Sequence, residues 1–206
     1  MSAPFTIDQL LAQWDSGDGK PYKGSLIDWD AYEADPQSIG CMCAQGQVLS
    51  IVGGWTPDKL RNTEQSDADK ATAKLLNISV AHSVLLRSVN DKADGAPSIV
   101  LTHPEKVLGD QAHVLLAFWR LLDRMTAEQW AAAGAAAWVA AGVAAGVAAG
   151  VAAGVAAGAA AWAAQYAGAE IQGASIMREK GQPFTFLPMF GFADPEAVLA
   201  ADQVAS

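Results

Sequence analysis

The side chains best suited to covalent chemistry in this sequence are two cysteines and two histidines. Cys41 and Cys43 lie two residues apart, and His82 and His103 follow further along the chain. A cysteine nucleophile needs an imidazole base to take its proton and a third group to orient that base. Cys43, His82 and His103 therefore include the residue types of a thiol hydrolase.

The predicted setting of these residues favours a structural role instead. Cys43 falls in a segment predicted as a strand, and not at a helix N-terminus, which would lower the pKa of its thiol. His82 lies on the apolar face of a predicted helix near Leu85 and Leu86, a position typical of a partly buried structural histidine. We expect a protein that is not an enzyme, with a thiol hydrolase built on Cys43 as the remote alternative.

Other cofactor and partner classes lack their signatures. The Cys41-x-Cys43 pair with a histidine falls short of the four ligands of a zinc site, and no glycine-rich phosphate loop is present. With 13 basic and 22 acidic side chains, the net charge of -9 argues against nucleic acid as a partner. We expect no metal and no cofactor. The lack of a wider cysteine framework and of a visible secretory signal favours the cytoplasm.

Most of the chain before residue 129 carries helix signals. Thr6 followed by Gln9 has the spacing of a capping box, and Thr56-Pro57 has a cap followed by proline at the first helical position. Residues 38–52 predict a β-hairpin, because Ile39, Cys41 and Cys43 alternate and a run of strand formers follows the turn at residues 45–47. Further helices are predicted over residues 67–90, from 103 through 122, and from 126 onwards. The predicted fold class is mainly α (α+β): a small helical domain with a β-hairpin.

Composition divides the chain into three parts. Residues 129–169 form a run of 41 without a charged side chain, and its positions 131–164 contain 21 Ala, 6 Gly, 5 Val and 2 Trp. Because alanine is the best helix former, this low-complexity run predicts one long helix despite its glycines. The expected organisation is a globular domain over 1–128, the Ala/Gly/Val-rich helix over 129–169, and a C-terminal segment over 170–206, for which folding back on the globular part is one of two readings.

The alanine-rich run has a strict period of four, with Val-Ala-Ala-Gly starting at residues 139, 143, 147, 151 and 155. On a helix this spacing places the glycines on one ridge, where a second backbone can approach closely. The expected helix-packing residues are Gly142, Gly146, Gly150, Gly154 and Gly158.

A membrane-inserted helix is the alternative to a packed one. The run exceeds 20 uncharged residues and has Gly-x-x-x-Gly spacing, with aromatic residues near both of its ends. It contains no Leu, Ile or Phe and has no basic flanks, so insertion gains little free energy. A third reading is a near-neutral repeat expansion whose length has no function.

The C-terminal segment is rich in aromatic side chains, and its prolines predict an extended conformation. Two readings stay open: a strap that packs back on the chain, or an exposed segment that docks on another subunit. The expected partner-docking residues are Phe184, Phe186, Phe190 and Phe192.

Two stretches carry a resemblance: residues 29–33 together with Ser38-Ile-Gly-Cys-Met-Cys-Ala, and Gly173-Ala-Ser-Ile-Met-Arg-Glu-Lys-Gly-Gln-Pro-Phe. They resemble Ala-rich proteins of bacteria and their phages, in which a variable Ala/Trp/Gly tract separates two constant parts. The resemblance implies a phage or prophage setting, and hence a virion as a second location, but no activity.

The sequence thus predicts a structural or interaction protein that forms a homo-oligomer, or binds a protein partner, through the glycine ridge. The alternative is a membrane-inserting or pore-lining protein, such as a phage component acting on the envelope.

Overall fold

A computed structural model describes residues 6–144 and 187–205 of the chain. These residues are mainly helical and contain no β-strand, which confirms the mainly α class. They fall into two compact units, Met1–Val107 and Leu108–Ser206. The α-helices are α1 Ile7–Ser16, α2 Trp29–Ala34, α3 Ala44–Gln47, α4 Pro57–Arg61, α5 Gln65–Leu76, α6 Val80–Lys92, α7 Ile99–Thr102, α8 Glu105–Leu108, α9 Ala112–Asp123, α10 Ala127–Ala144 and α11 Pro195–Ala205.

Local capping signals fix several helix starts where the sequence predicts them. Thr6 and Gln9 form the reciprocal capping box of α1, and Thr56 caps α4 with Pro57 at its first position. Thr126 and Gln129 exchange the same pair of hydrogen bonds at the start of α10. Each signal satisfies backbone N–H groups that have no partner within the helix, so each one acts without help from the rest of the fold.

The predicted β-hairpin over residues 38–52 is wrong. A 3₁₀ helix, Ile39–Cys41, leads to α3, and a π-helical segment, Val48–Val52, continues directly from α3. The described residues pair in an extended manner only where Ile27 and Met42 form an antiparallel bridge. Ile39, Cys41 and Cys43 therefore lie beside a single bridge, and the strand formers at Val48–Val52 are helical.

Tertiary contacts explain this override of strand propensity. Val48 and Leu49 are fully buried, and Gly46 lies so close to Leu26 that a Cβ built on Gly46 would be 2.0 Å from the Leu26 carbonyl oxygen. Only a glycine lets α3 approach the neighbouring backbone this closely. The helical conformation thus buries residues 44–49 in the first unit, whereas a solvent-facing hairpin would leave them half exposed.

The single helix predicted over residues 67–90 is two helices. Asn77 takes the left-handed conformation, with φ 52°, and ends α5. The Ile78 N–H donates to the Ala73 carbonyl, which is the longer hydrogen bond of a Schellman motif. Ser79 then caps α6 by accepting from the His82 N–H. Apolar residues keep helical spacing across this break, so periodicity alone did not reveal it.

The helix predicted from His103 through Leu122 is also interrupted. The structure has α7 before His103, a short α8, and α9 after Gly109, which adopts a positive φ of 86°. In the second unit, α9 packs against α11, whose start is capped by Asp194 through the Ala197 N–H. The C-terminal segment is therefore not extended in its described part, which has a 3₁₀ helix, Leu187–Phe190, followed by α11.

Candidate functional site

Cys43 is the candidate nucleophile, and it lies at the N-terminus of α3 rather than in a strand. Its sulfur accepts a hydrogen bond from the Gly46 N–H at 3.4 Å, and the residue is only 1 % exposed. Burial raises the pKa of the Cys43 thiol to about 11, against the smaller lowering effect of the backbone hydrogen bonds from Gly46 and Gln45. The thiol is therefore protonated at neutral pH and shielded from a substrate, the reverse of an activated nucleophile.

Cys41 is likewise buried, and its thiol donates to the Ser38 carbonyl at 3.0 Å. Burial is the main cause that raises the pKa of this thiol as well. Both cysteines are free thiols. They line the core of the first unit with Leu26, Ile27 and Leu49.

The two candidate histidines are engaged elsewhere. His82 is buried, and its Nε2 lies 2.8 Å from the Val100 carbonyl oxygen, so the ring ties α6 to α7. His103 is exposed, and its Nδ1 lies 3.0 Å from the Thr102 hydroxyl. Within the described residues the Cys43 sulfur accepts hydrogen bonds from backbone N–H groups, whereas the nucleophile of a thiol hydrolase is paired with an imidazole.

The most polar part of the interior is a network that the sequence reasoning missed. The Gln45 side chain is fully buried, and its Nε2 donates to Asp69 at 2.8 Å and to the Ser83 hydroxyl at 2.9 Å. Gln65 donates to both Gln45 and Asp69, and Arg87 pairs with both Asp69 oxygens at 3.3 Å.

This network joins α3, α5 and α6, because its five members come from these three helices. The Gln45 Oε1 and both Asp69 oxygens accept hydrogen bonds from within the network. A buried charge satisfied in this way rigidifies the helices around it. The sequence gives one indication of this network. Gln45 and Gln47 are polar residues in a segment whose neighbours Ala44 and Val48 are apolar.

Metal sites and membrane-spanning helices are both absent from the part of the chain that the structure describes. No group of three or more His, Cys, Asp or Glu side chains there has the arrangement to hold a metal ion. Similarly, none of the described helices combines the length and the apolar character needed to cross a bilayer.

The predicted helix-packing surface begins on α10. Trp130 is half-buried and Ala133 is buried, whereas Ala131, Ala132 and Ala135 are exposed. A Cβ built on Gly134 would meet nothing within 4 Å. Gly142 lies within α10, whereas Gly146, Gly150, Gly154 and Gly158 lie outside the described residues.

Two of the four predicted partner-docking residues lie within the described part of the chain. Phe184 and Phe186 lie outside the described residues. Phe190 packs edge-on against Phe118, with ring centroids 5.1 Å apart, and against Trp130 at 6.1 Å. Phe192 packs edge-on against Phe118 at 6.3 Å. These two phenylalanines thus contact their own chain, as in the strap reading.

Comparison of the chain with protein-family models, curated proteins and solved structures finds no match. The functional conclusion therefore depends on the geometry of the chain itself.

Proposed function

We propose that this protein is a non-enzymatic structural or interaction protein that self-associates through the helix beginning at Ala127. The supporting observation is the exposed side of α10, where Ala131 and Ala135 are exposed beside Gly134 and a Cβ built on Gly134 meets nothing within 4 Å. A helix with such small side chains lets a second backbone approach closely, so that many weak contacts accumulate along the pair.

The charge distribution supports a second copy as the partner. The chain has a net charge of -9, and two copies repel each other wherever their acidic surfaces meet. From Gln129 to the end of α10 no side chain is charged. Two copies therefore approach along this helix at the lowest electrostatic cost.

The environment of Cys43 supports the non-enzymatic part of the proposal. Its thiol is buried, its pKa is raised to about 11, and its hydrogen bonds are made to the backbone. A thiol hydrolase needs an accessible thiol with a lowered pKa and an imidazole beside it. We place the protein in the cytoplasm, or in a virion if it is phage-encoded, as the resemblance implies.

Light scattering coupled to size exclusion tests self-association. We expect the native chain to have a mass that is a multiple of 21.4 kDa. Gly134→Leu adds a side chain where nothing lies within 4 Å, so it leaves the fold of the second unit intact but blocks close approach. Gly150→Leu, on the predicted ridge, is expected to reduce the mass in the same way.

Gly95→Leu is the matched control, because Gly95 also has nothing within 4 Å of a built Cβ but lies in the first unit. This variant is expected to keep the native mass. Equal masses for the native chain and the Gly134 and Gly150 variants would refute the proposal. If the native chain is a monomer that floats with lipid vesicles, the membrane-inserting alternative replaces it.

A further inference from the structure

The last described segment of the chain, Leu187–Ala205, holds the start of α10; we call it the strap. Its Phe190 ring makes edge contacts with Phe118 of α9 and Trp130 of α10, with ring centroids 5.1 and 6.1 Å apart. Phe190 therefore bridges the two helices, whereas Phe192 reaches Phe118 at 6.3 Å. Edge-to-face pairs at these distances stabilise beyond the area they bury.

The strap is itself fixed to α9 by an ion-pair cluster and by buried apolar side chains. The Asp202 side chain is 10 % exposed; its two oxygens share the hydrogen of Arg120 Nε, at 3.1 and 3.0 Å, and one of them also accepts from Arg120 Nη2. Arg124 lies 3.6 Å from the same carboxylate. Leu187 and Val198 are almost fully buried. The far end of the strap is thus anchored independently of α10.

Within the described residues, the first turns of α10 are supported by the capping pair Thr126–Gln129 and by tertiary packing. Beyond Glu128 the helix has no charged side chains, so ion pairs between successive turns are absent there. Isolated helices of this length are marginal in water even when rich in alanine, and most helix stability in proteins comes from tertiary packing. Trp130 and Ala133 provide that packing in the first two turns.

We infer that the start of the strap is a conformational latch: docking of Phe190 on Trp130 holds α10 as an ordered helix, and undocking of this ring lets α10 unfold while α11 stays packed on α9. The latch concerns the same helix as the proposed self-association, and it would control whether that helix is presented to a second copy. The inference itself concerns one chain and does not require that a second copy binds.

Amide hydrogen exchange on the full chain tests the latch. The experiment compares Phe190→Ala with Phe192→Ala in a Gly134→Leu background, so that protection by a second copy does not contribute. Both substitutions remove a ring from Phe118, but Phe190→Ala also removes the contact with Trp130. We expect Phe190→Ala to speed exchange of the α10 amides by about tenfold or more relative to the α9 amides, and Phe192→Ala to change that ratio by less than about threefold.

A second variant loosens α11 from α9 without touching an aromatic ring. Asp202→Asn weakens the pairing with Arg120 and Arg124, so it is expected to speed exchange of the α9 amides as well as the α10 amides and gives the pattern of joint opening. The latch is overturned if Phe190→Ala leaves α10 exchange unchanged. It is also overturned if Phe190→Ala gives the joint loss of α9 and α10 protection seen in Asp202→Asn, because the two helices would then open as one unit. A failure of self-association would appear in the mass and leave these exchange ratios unaffected.

Discussion

Gly46 is the position where the packing of the first unit is most sensitive to a single methyl group. A Cβ at this residue would lie 2.0 Å from the Leu26 carbonyl oxygen and 3.1 Å from the Met42 Cβ. The carbonyl belongs to backbone that is itself fixed, because Leu26 O accepts from the Cys43 N–H. Gly46→Ala must therefore separate α3 from residues 26–28 or break the hydrogen bond that joins them.

The size of the effect follows from two opposed contributions. Replacing glycine by alanine in a helix stabilises it by up to about 1 kcal/mol through propensity. Ordinary contact at this Cβ requires at least 3.4 Å, so the carbonyl and the methyl must move apart by about 1.4 Å. Overpacking a core costs typically about 1–3 kcal/mol and more where backbone must move. We expect Gly46→Ala to lower the free energy of unfolding by about 2 kcal/mol or more.

Urea denaturation followed by circular dichroism measures this change. Gly95→Ala is the matched control in the same unit, since nothing lies within 4 Å of its built Cβ, and it is expected to be neutral or slightly stabilising. The close approach of α3 to residues 26–28 would be refuted if Gly46→Ala is as stable as the native chain, because propensity would then outweigh the clash.

Two further predictions concern the buried polar groups of the first unit. The folded pKa of the Cys43 thiol, about 11, lies above its ordinary value of 9.0, so between pH 9 and 11 only the unfolded chain loses this proton. The free energy of unfolding should therefore fall with pH in this range. The slope should be steeper in the native chain than in Cys43→Ala by about 1.4 kcal/mol per pH unit. Parallel pH profiles of the two proteins in urea denaturation would contradict this. Asp69→Ala leaves the partly buried Arg87 without its partner and should cost about 3 kcal/mol, whereas Asp67→Ala, whose pair with Lys70 is exposed, should cost less than about 0.5 kcal/mol; equal costs would show that the network contributes nothing.

Helix starts were predictable wherever the signal is local. The capping pairs at Thr6 and Thr126, and the Thr56-Pro57 start of α4, depend on side chains within three residues of the groups they satisfy. The start of α11 carries a comparable signal, because Asp194 caps the helix and Pro195 occupies its first position. The sequence therefore contained enough information to predict α11, although the C-terminal segment was predicted to be extended. Local chemistry determines these sites, so no knowledge of the fold is needed.

Residues 38–52 could not be predicted in the same way. Their strand formers become helical because Gly46 packs on Leu26 and because Gln45 joins the network with Asp69, 24 residues further along the chain. Strand propensity is easily overridden by such contacts between distant residues. The position of Cys43 at a helix N-terminus, and its burial there, follow from the same contacts.

Self-association through α10 is tested most directly by the mass of the native chain in solution as a function of its concentration. Sedimentation equilibrium without detergent is expected to give a mass that rises above 21.4 kDa towards a whole multiple of it, and Gly134→Leu is expected to shift this rise to higher concentration. A mass of 21.4 kDa at every concentration, the same for the native chain and Gly134→Leu, would contradict the proposal.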